Sequence, residues 1–148
     1  MTNVRDFTHA IFAEATVRPQ AVTANTTGLA VPVGRGGGNT LALYLSVGAV
    51  SGTSPTLTVV VEAADSATAT TWTPVVTLPI IMAGNQLVTQ YFLVPPAPTI
   101  STEGHRFVRA RLTVGGTSPS FLVSALVVGM LKHPQPGLGA MAGAPTIN

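Results

Sequence analysis

Cysteine is absent from the 148 residues, which excludes a disulfide framework and a thiolate metal site. Stability must come from packing and assembly instead. Charge is also scarce: charged residues make up 8 % of the chain, against about 25 % in an ordinary soluble protein. With 46 % hydrophobic residues, such a surface cannot rely on charge for solubility, and part of it is expected to be covered by copies of itself or by a partner. Lys132 is the sole lysine, the formal net charge is only +2, and there is no basic run, so a nucleic-acid binder is not expected. Arg106, Arg109 and Arg111 lie close together, but on an alternating strand Arg109 and Arg111 share the outward face while Arg106 points the other way. Without an aromatic stacking platform beside them they read as a solvated or interfacial face rather than a phosphate site. The N-terminus lacks the basic-then-apolar layout of a signal peptide, and the longest apolar run, Phe121 to Leu131, is too short to span a bilayer. Synthesis in the cytoplasm and no membrane partner are the expectations.

Catalytic patterns are missing as well. The five acids, Asp6, Glu14, Glu62, Asp65 and Glu103, recur at no fixed spacing, and Glu62 falls on an outward strand face. His9, His105 and His133 lie in three separate regions, without the close spacing of a zinc or iron site. No G-x-S-x-G elbow is present. The glycine-dense segment Gly34-Arg35-Gly36-Gly37-Gly38-Asn39 leads into a strand instead of the Lys-Ser or Lys-Thr and helix that a phosphate loop requires. It reads as a flexible inter-strand loop. A non-enzyme with no cofactor and no metal is expected.

What the chain does have is a repeated string. GTSP occurs at Gly52-Thr53-Ser54-Pro55 and again at Gly116-Thr117-Ser118-Pro119, each time between two runs of alternating apolar residues. Glycine tolerates the positive φ of a tight turn and proline fixes φ before the next strand, so both copies read as β-hairpin loops. On the first flanks Leu41, Leu43, Leu45 and Val47, then Leu57, Val59, Val61 and Ala63, recur with period two. On the second, Val108, Ala110, Leu112 and Val114 alternate with Phe107, Arg109, Arg111 and Thr113, and Phe121 to Leu131 returns. Two hairpins far apart in sequence suggest two packed sheets: an all-β fold, an antiparallel β-sandwich or jelly roll of about eight strands. A single domain of this length buries roughly two thirds of its unfolded surface.

The expected organisation is an N-terminal arm over 1–19, a sandwich over 20–132 and a C-terminal tail over 133–148. The arm holds one ordered segment, helical or extended, with extended structure favoured because the rest is β. Short strands are expected over Gln20 to Ala24 and Gly28 to Val33, joined by Asn25-Thr26-Thr27. The turn Ala64 to Thr73 ends on the only tryptophan, Trp72, read as a core or rim anchor or as a sugar-stacking platform. Pro74 and Pro79 confine the next strand to an edge; Ala83-Gly84-Asn85 is a turn, Leu87 to Val94 a strand, and Pro95-Pro96-Ala97-Pro98 a stiff connection. The strand Phe121 to Leu131 is apolar on both faces, with Phe121, Val123, Ala125 and Val127 on one and Leu122, Leu126, Val128 and Met130 on the other. The second face needs a cover, either the N-terminal segment or another subunit. Leu122, Leu126, Val128 and Met130 are therefore candidates for an oligomer interface. The arms offer Phe7, Ile11, Phe12, His133, Leu138 and Met141 as neighbour contacts; on the sandwich body Trp72, Tyr44 and Tyr91 are an alternative ligand platform.

The ordered set Val47 to Leu57 with its GTSP, then Trp72-Thr73, then His105-Arg106-Phe107-Val108-Arg109, then Val114 to Ser120 with the second GTSP, then Lys132-His133-Pro134, resembles small structural proteins of tailed bacteriophages. The resemblance covers Val22 to Pro134. It implies a virion component, with capsid decoration (cement) proteins, β-sandwich bodies that are often trimeric, as the closest role. The implied partners are the major capsid protein and the chain itself as a homotrimer, on the outer surface of the capsid, after synthesis in the host cytoplasm. A tail-associated module that binds a carbohydrate or receptor is the alternative.

Overall fold

Neither GTSP segment is a hairpin loop. In the computed structural model, which describes residues 11–33, 41–85, 88–94 and 107–130, the chain runs straight through both. Strand β4 spans Leu41–Ala64 and strand β8 spans Phe107–Met130, 24 residues each. They pair antiparallel along their whole length, from Leu41 opposite Gly129 to Ala64 opposite Phe107. The GTSP copies meet in the middle, with Thr53 opposite Thr117. Each copy takes positive φ twice, at Gly52 (111°) and Ser54 (49°), and at Gly116 (105°) and Ser118 (47°). Alternating left-handed and extended residues make bulges, which bend and twist a strand without reversing it. The ladder slips there, between Val47 and Val50, Ser51 and Thr53, and Thr53 and Thr56.

The contact at the crossing is reciprocal. A Cβ on Gly52 would lie 2.7 Å from the Ser118 carbonyl oxygen, and one on Gly116 would lie 2.6 Å from that of Ser54. Only glycine permits this approach of two backbones.

Six shorter strands flank the long pair: β1 (Ile11–Val22), β2 (Thr26–Thr27), β3 (Val31–Pro32), β5 (Thr73–Thr77), β6 (Ile81–Met82) and β7 (Val88–Val94). On one side of the crossing the order is β1, the second part of β8, the first part of β4, then β7. We call this layer I. On the other side, layer II, β2 and β3 flank the first part of β8, and β5 and β6 flank the second part of β4. All pairings are antiparallel. Alternate residues of both layers enter one core: Leu41, Leu43 and Leu45 with Phe121 and Val123 from layer I, and Leu57, Val59 and Val61 with Val108 and Leu112 from layer II. The fold is thus an antiparallel β-sandwich in which one two-stranded ribbon belongs to both layers. Burying each such side chain contributes on the order of 1.5–3 kcal/mol, which is what stands in place of cross-links.

The ordered segment expected within 1–19 is the start of β1, and it is a strand. Pairing with β8 settles the choice between helix and strand that local propensity left open. The ladder of β1 slips at Thr16, whose buried hydroxyl accepts from the Ala110 N–H at 3.0 Å and donates to the Leu29 carbonyl at 2.8 Å. The Leu29 N–H donates to the Thr16 carbonyl and the Gly28 N–H to that of Ala110. One bulge thus ties layer I to layer II. The glycine-dense segment 34–39, the connection 95–98 and the tail lie outside the described residues.

The described strands also repeat. Adding the 64 residues that separate Gly52 from Gly116 carries the order β1, β2–β3, β4 onto β5–β6, β7, β8. The central ladder maps onto itself once the one-residue slip between Val47 and Val50 is allowed for: before the slip the pair Leu43–Val127 corresponds to Val108–Ala63 and Leu45–Ala125 to Ala110–Val61, and beyond it Val50–Phe121 corresponds to Val114–Leu57. The sandwich therefore has a pseudo-twofold axis through the crossing, and it exchanges the two layers.

Candidate functional site

The outward faces of the two layers are related by this axis, so their side chains can be compared position by position. In layer II Glu62 stands opposite Arg109. Glu62 is only 4 % exposed, and its carboxylate is forked between two guanidiniums: Arg109 Nε and Nη2 reach Oε2 at 3.1 Å, and Arg111 Nε reaches Oε1 at 2.5 Å. The Trp72 ring lies over Arg109, 3.9 Å from guanidinium carbon to ring centroid. Trp72 is 9 % exposed and its indole Nε1–H donates to the Ala69 carbonyl at 2.9 Å. A buried carboxylate is tolerable only when paired in this way.

This corrects two readings. Arg109 and Arg111 are not merely a solvated or interfacial face, since both are engaged by Glu62; Glu62 is on the outward face as expected, but buried there. The sequence signal was available: setting the two GTSP copies antiparallel places Glu62 opposite Arg109. Arg106 lies outside the described residues.

In layer I the corresponding pair is Tyr44 opposite Leu126. Here the face is open, with Leu122 48 %, Tyr44 43 % and Leu126 40 % exposed. Around them stand small or uncharged residues: Ala42 and Ser46 on β4, Ser124 and Val128 on β8, Ala13 and Ala15 on β1. Leu122 leans across Gly48, where an added Cβ would meet its side chain at 3.1 Å. The residue that corresponds to Trp72 is Ala13, because Trp72 precedes Thr73, the partner of Ala63, just as Ala13 precedes Glu14, the partner of Val127. The aromatic cover of layer II thus has only a methyl group as its counterpart in layer I.

Of the expected interface residues, Leu122 and Leu126 lie together on this face and Val128 is half-buried beside them. Met130 is the register partner of Ile11, and Phe12 that of Gly129; the side chains of these three, like Phe7, His133, Leu138 and Met141, lie outside what is described. Of the N-terminal segment, the described part does not lie over the face, since β1 runs alongside β8 at the margin of the layer; residues 1–10 lie outside what is described. The three aromatic residues are not one platform: Tyr44 and Tyr91 are register partners in layer I, whereas Trp72 belongs to layer II with one ring face occupied by Arg109. Among the described residues no group of three His, Cys, Asp or Glu gathers as a metal site, and no helix is long and apolar enough to cross a membrane.

No protein-family model matches the chain, and no curated protein matches it. Among solved structures, that of the infectious bursal disease virus Gx strain superposes with a TM-score of 0.58 at 9 % identity, over 84 % of this chain and 33 % of that one. The VP2 subviral particle of infectious bursal disease virus gives 0.54 at 13 % identity, over 90 % and 34 %. A structure of Bacillus endospore appendages, described as disulfide-linked pili, gives 0.46 at 15 %, over 88 % and 96 %; at that distance the likeness carries no argument. The chain spans about a third of the length of the two viral chains it matches. At these identities what is shared is the fold, and it is a fold that virus-particle proteins use.

Proposed function

We propose that this chain is a virion structural protein, and more specifically a capsid decoration (cement) protein of a tailed bacteriophage that binds the outer surface of the head shell and stabilises it without catalysis. The observation that carries the reading is the pair of outer faces: one layer pairs its charged groups within the chain, and the other exposes Tyr44, Leu122 and Leu126. The fold likeness to virus-particle proteins and the resemblance of the ordered motifs to small phage structural proteins support the same role. The major capsid protein is the partner, contacted by many shallow contacts that add through multivalency. Purified shells heated with and without the protein test this. Binding and a raised disruption temperature are expected, and their absence would remove the cement role.

The second reading is a tail-associated module that binds a carbohydrate or receptor. The exposed Tyr44, with Tyr91 as its register partner, favours it, because sugars stack on exposed aromatic rings. Loss of glycan-array binding on Tyr44→Ala, with shells unaffected, would put this reading first.

A further inference from the structure

We infer that the outer face of layer I, centred on Tyr44, Leu122 and Leu126, is a self-association surface on which a second copy of this chain lays the same face. The inference goes beyond shell binding and does not depend on it.

Three observations select the occupant. The first is the broken symmetry. At equivalent positions layer II closes its outward pair with Trp72, while layer I has Ala13 and leaves Tyr44 and Leu126 exposed. The same backbone can therefore carry its own cover, and among the described residues of layer I none supplies one. The second is charge. The outward register positions from Ala13 and Ala15 through Ala42, Tyr44 and Ser46 to Leu122, Ser124, Leu126 and Val128 hold no charged side chain, and the exposed Arg18 stands at their margin, in the slip of β1 between Val17 and Gln20. A face with no charge at its centre meets its own copy about a twofold axis with no like charges opposed there. A partner recognised by acidic groups would find nothing to pair with around Tyr44, Leu122 and Leu126. The third is relief. Leu122 lies down on Gly48, and the positions between the three large side chains are alanine, serine or glycine. Such a low surface suits another sheet laid about 10 Å away, as in a sandwich, better than a peptide or helix seated in a groove.

The contact so described joins two copies face to face, whereas the resemblance to decoration proteins implies three around an axis; mass and cross-linking distinguish them. Sedimentation of the full chain at micromolar concentration is expected to show two copies of the 15.1 kDa chain. Leu126→Glu should halve that mass while circular dichroism and the unfolding transition stay as in the parent, because Leu126 is solvent-exposed in the single copy. Since the chain has no cysteine, Ser124→Cys provides a reading that needs no disruptive change. Mild oxidation should give a covalent dimer faster than Ser66→Cys, placed in the exposed turn after β4. A monomeric parent, a mass unaltered by Leu126→Glu, or no preference of the position-124 cysteine over the position-66 cysteine would each overturn the inference. All three are measured without shells, so failure of shell binding leaves them untouched.

Discussion

Layer I and layer II are built on the same ladder and end in opposite chemistry. In layer II the outward cross-strand pair is Glu62 with Arg109, buried under Trp72 and shared with Arg111; in layer I it is Tyr44 with Leu126, open to solvent. Four equivalent positions carry the difference: Glu62 against Leu126, Arg109 against Tyr44, Arg111 against Ser46 and Trp72 against Ala13. A buried carboxylate must find its counter-charges inside the chain, because no partner can be relied upon to bring them in the free protein. Leucine and tyrosine make no such demand and tolerate water until a partner arrives. The layer that can be left open is the apolar one, and it is the one we propose for self-association.

The comparison can be broken most forcefully at Glu62. Glu62→Ala leaves Arg109, held under Trp72, without its carboxylate, and a loss of about 3 kcal/mol is expected, the low end for breaking a buried pair because Arg111 remains partly in water. Urea unfolding measures it, and a change near zero would mean that the pair is no more than a surface contact. Next come Gly52→Ala and Gly116→Ala, each forcing a side chain into a positive φ, at about 1–3 kcal/mol. Because the axis relates them, the two losses should agree, and clearly unequal values would deny the equivalence of the crossing. A smaller effect is expected when the pair of layer II is rewritten as that of layer I. Glu62→Leu with Arg109→Tyr should lie within about 1 kcal/mol of the parent, since replacing both partners of a buried ion pair by apolar groups is often neutral. Its sedimentation should show larger assemblies, as a second apolar face would now exist. The smallest change in stability belongs to Ala13→Trp, which gives layer I a cover like that of layer II: a gain below about 1 kcal/mol from shielding apolar area, together with loss of self-association.

Much of this architecture is legible in the residues, and the limit is a physical one. Period two assigned the inward residues of β4 and β8 correctly, and the alternation along Phe121 to Leu131 placed Leu122 and Leu126 on the outward face, where both are exposed. The GTSP strings were misread because positive φ at glycine and a following proline are local signals. They serve a bulged crossing and a chain reversal equally well, and only the long-range pairing of β4 with β8 decides between them. The fate of Glu62 was hidden for the same reason, since Arg109 is 47 residues away. Thr16 gave no signal at all: its role depends on Ala110 and Leu29 arriving from two other segments.

The pseudo-twofold arrangement also governs how the chain can be made. Every described ladder joins a strand from the first half, β1 to β4, to one from the second, β5 to β8, and none joins two strands of the same half. During synthesis no sheet that includes β1, β2 or β3 can close until β8 has emerged, because β8 is the ladder partner of all three. Contacts of such high sequence separation make for slow folding and leave apolar strands unpaired in the meantime. The molecule is therefore a late folder, whose first half must wait for its second.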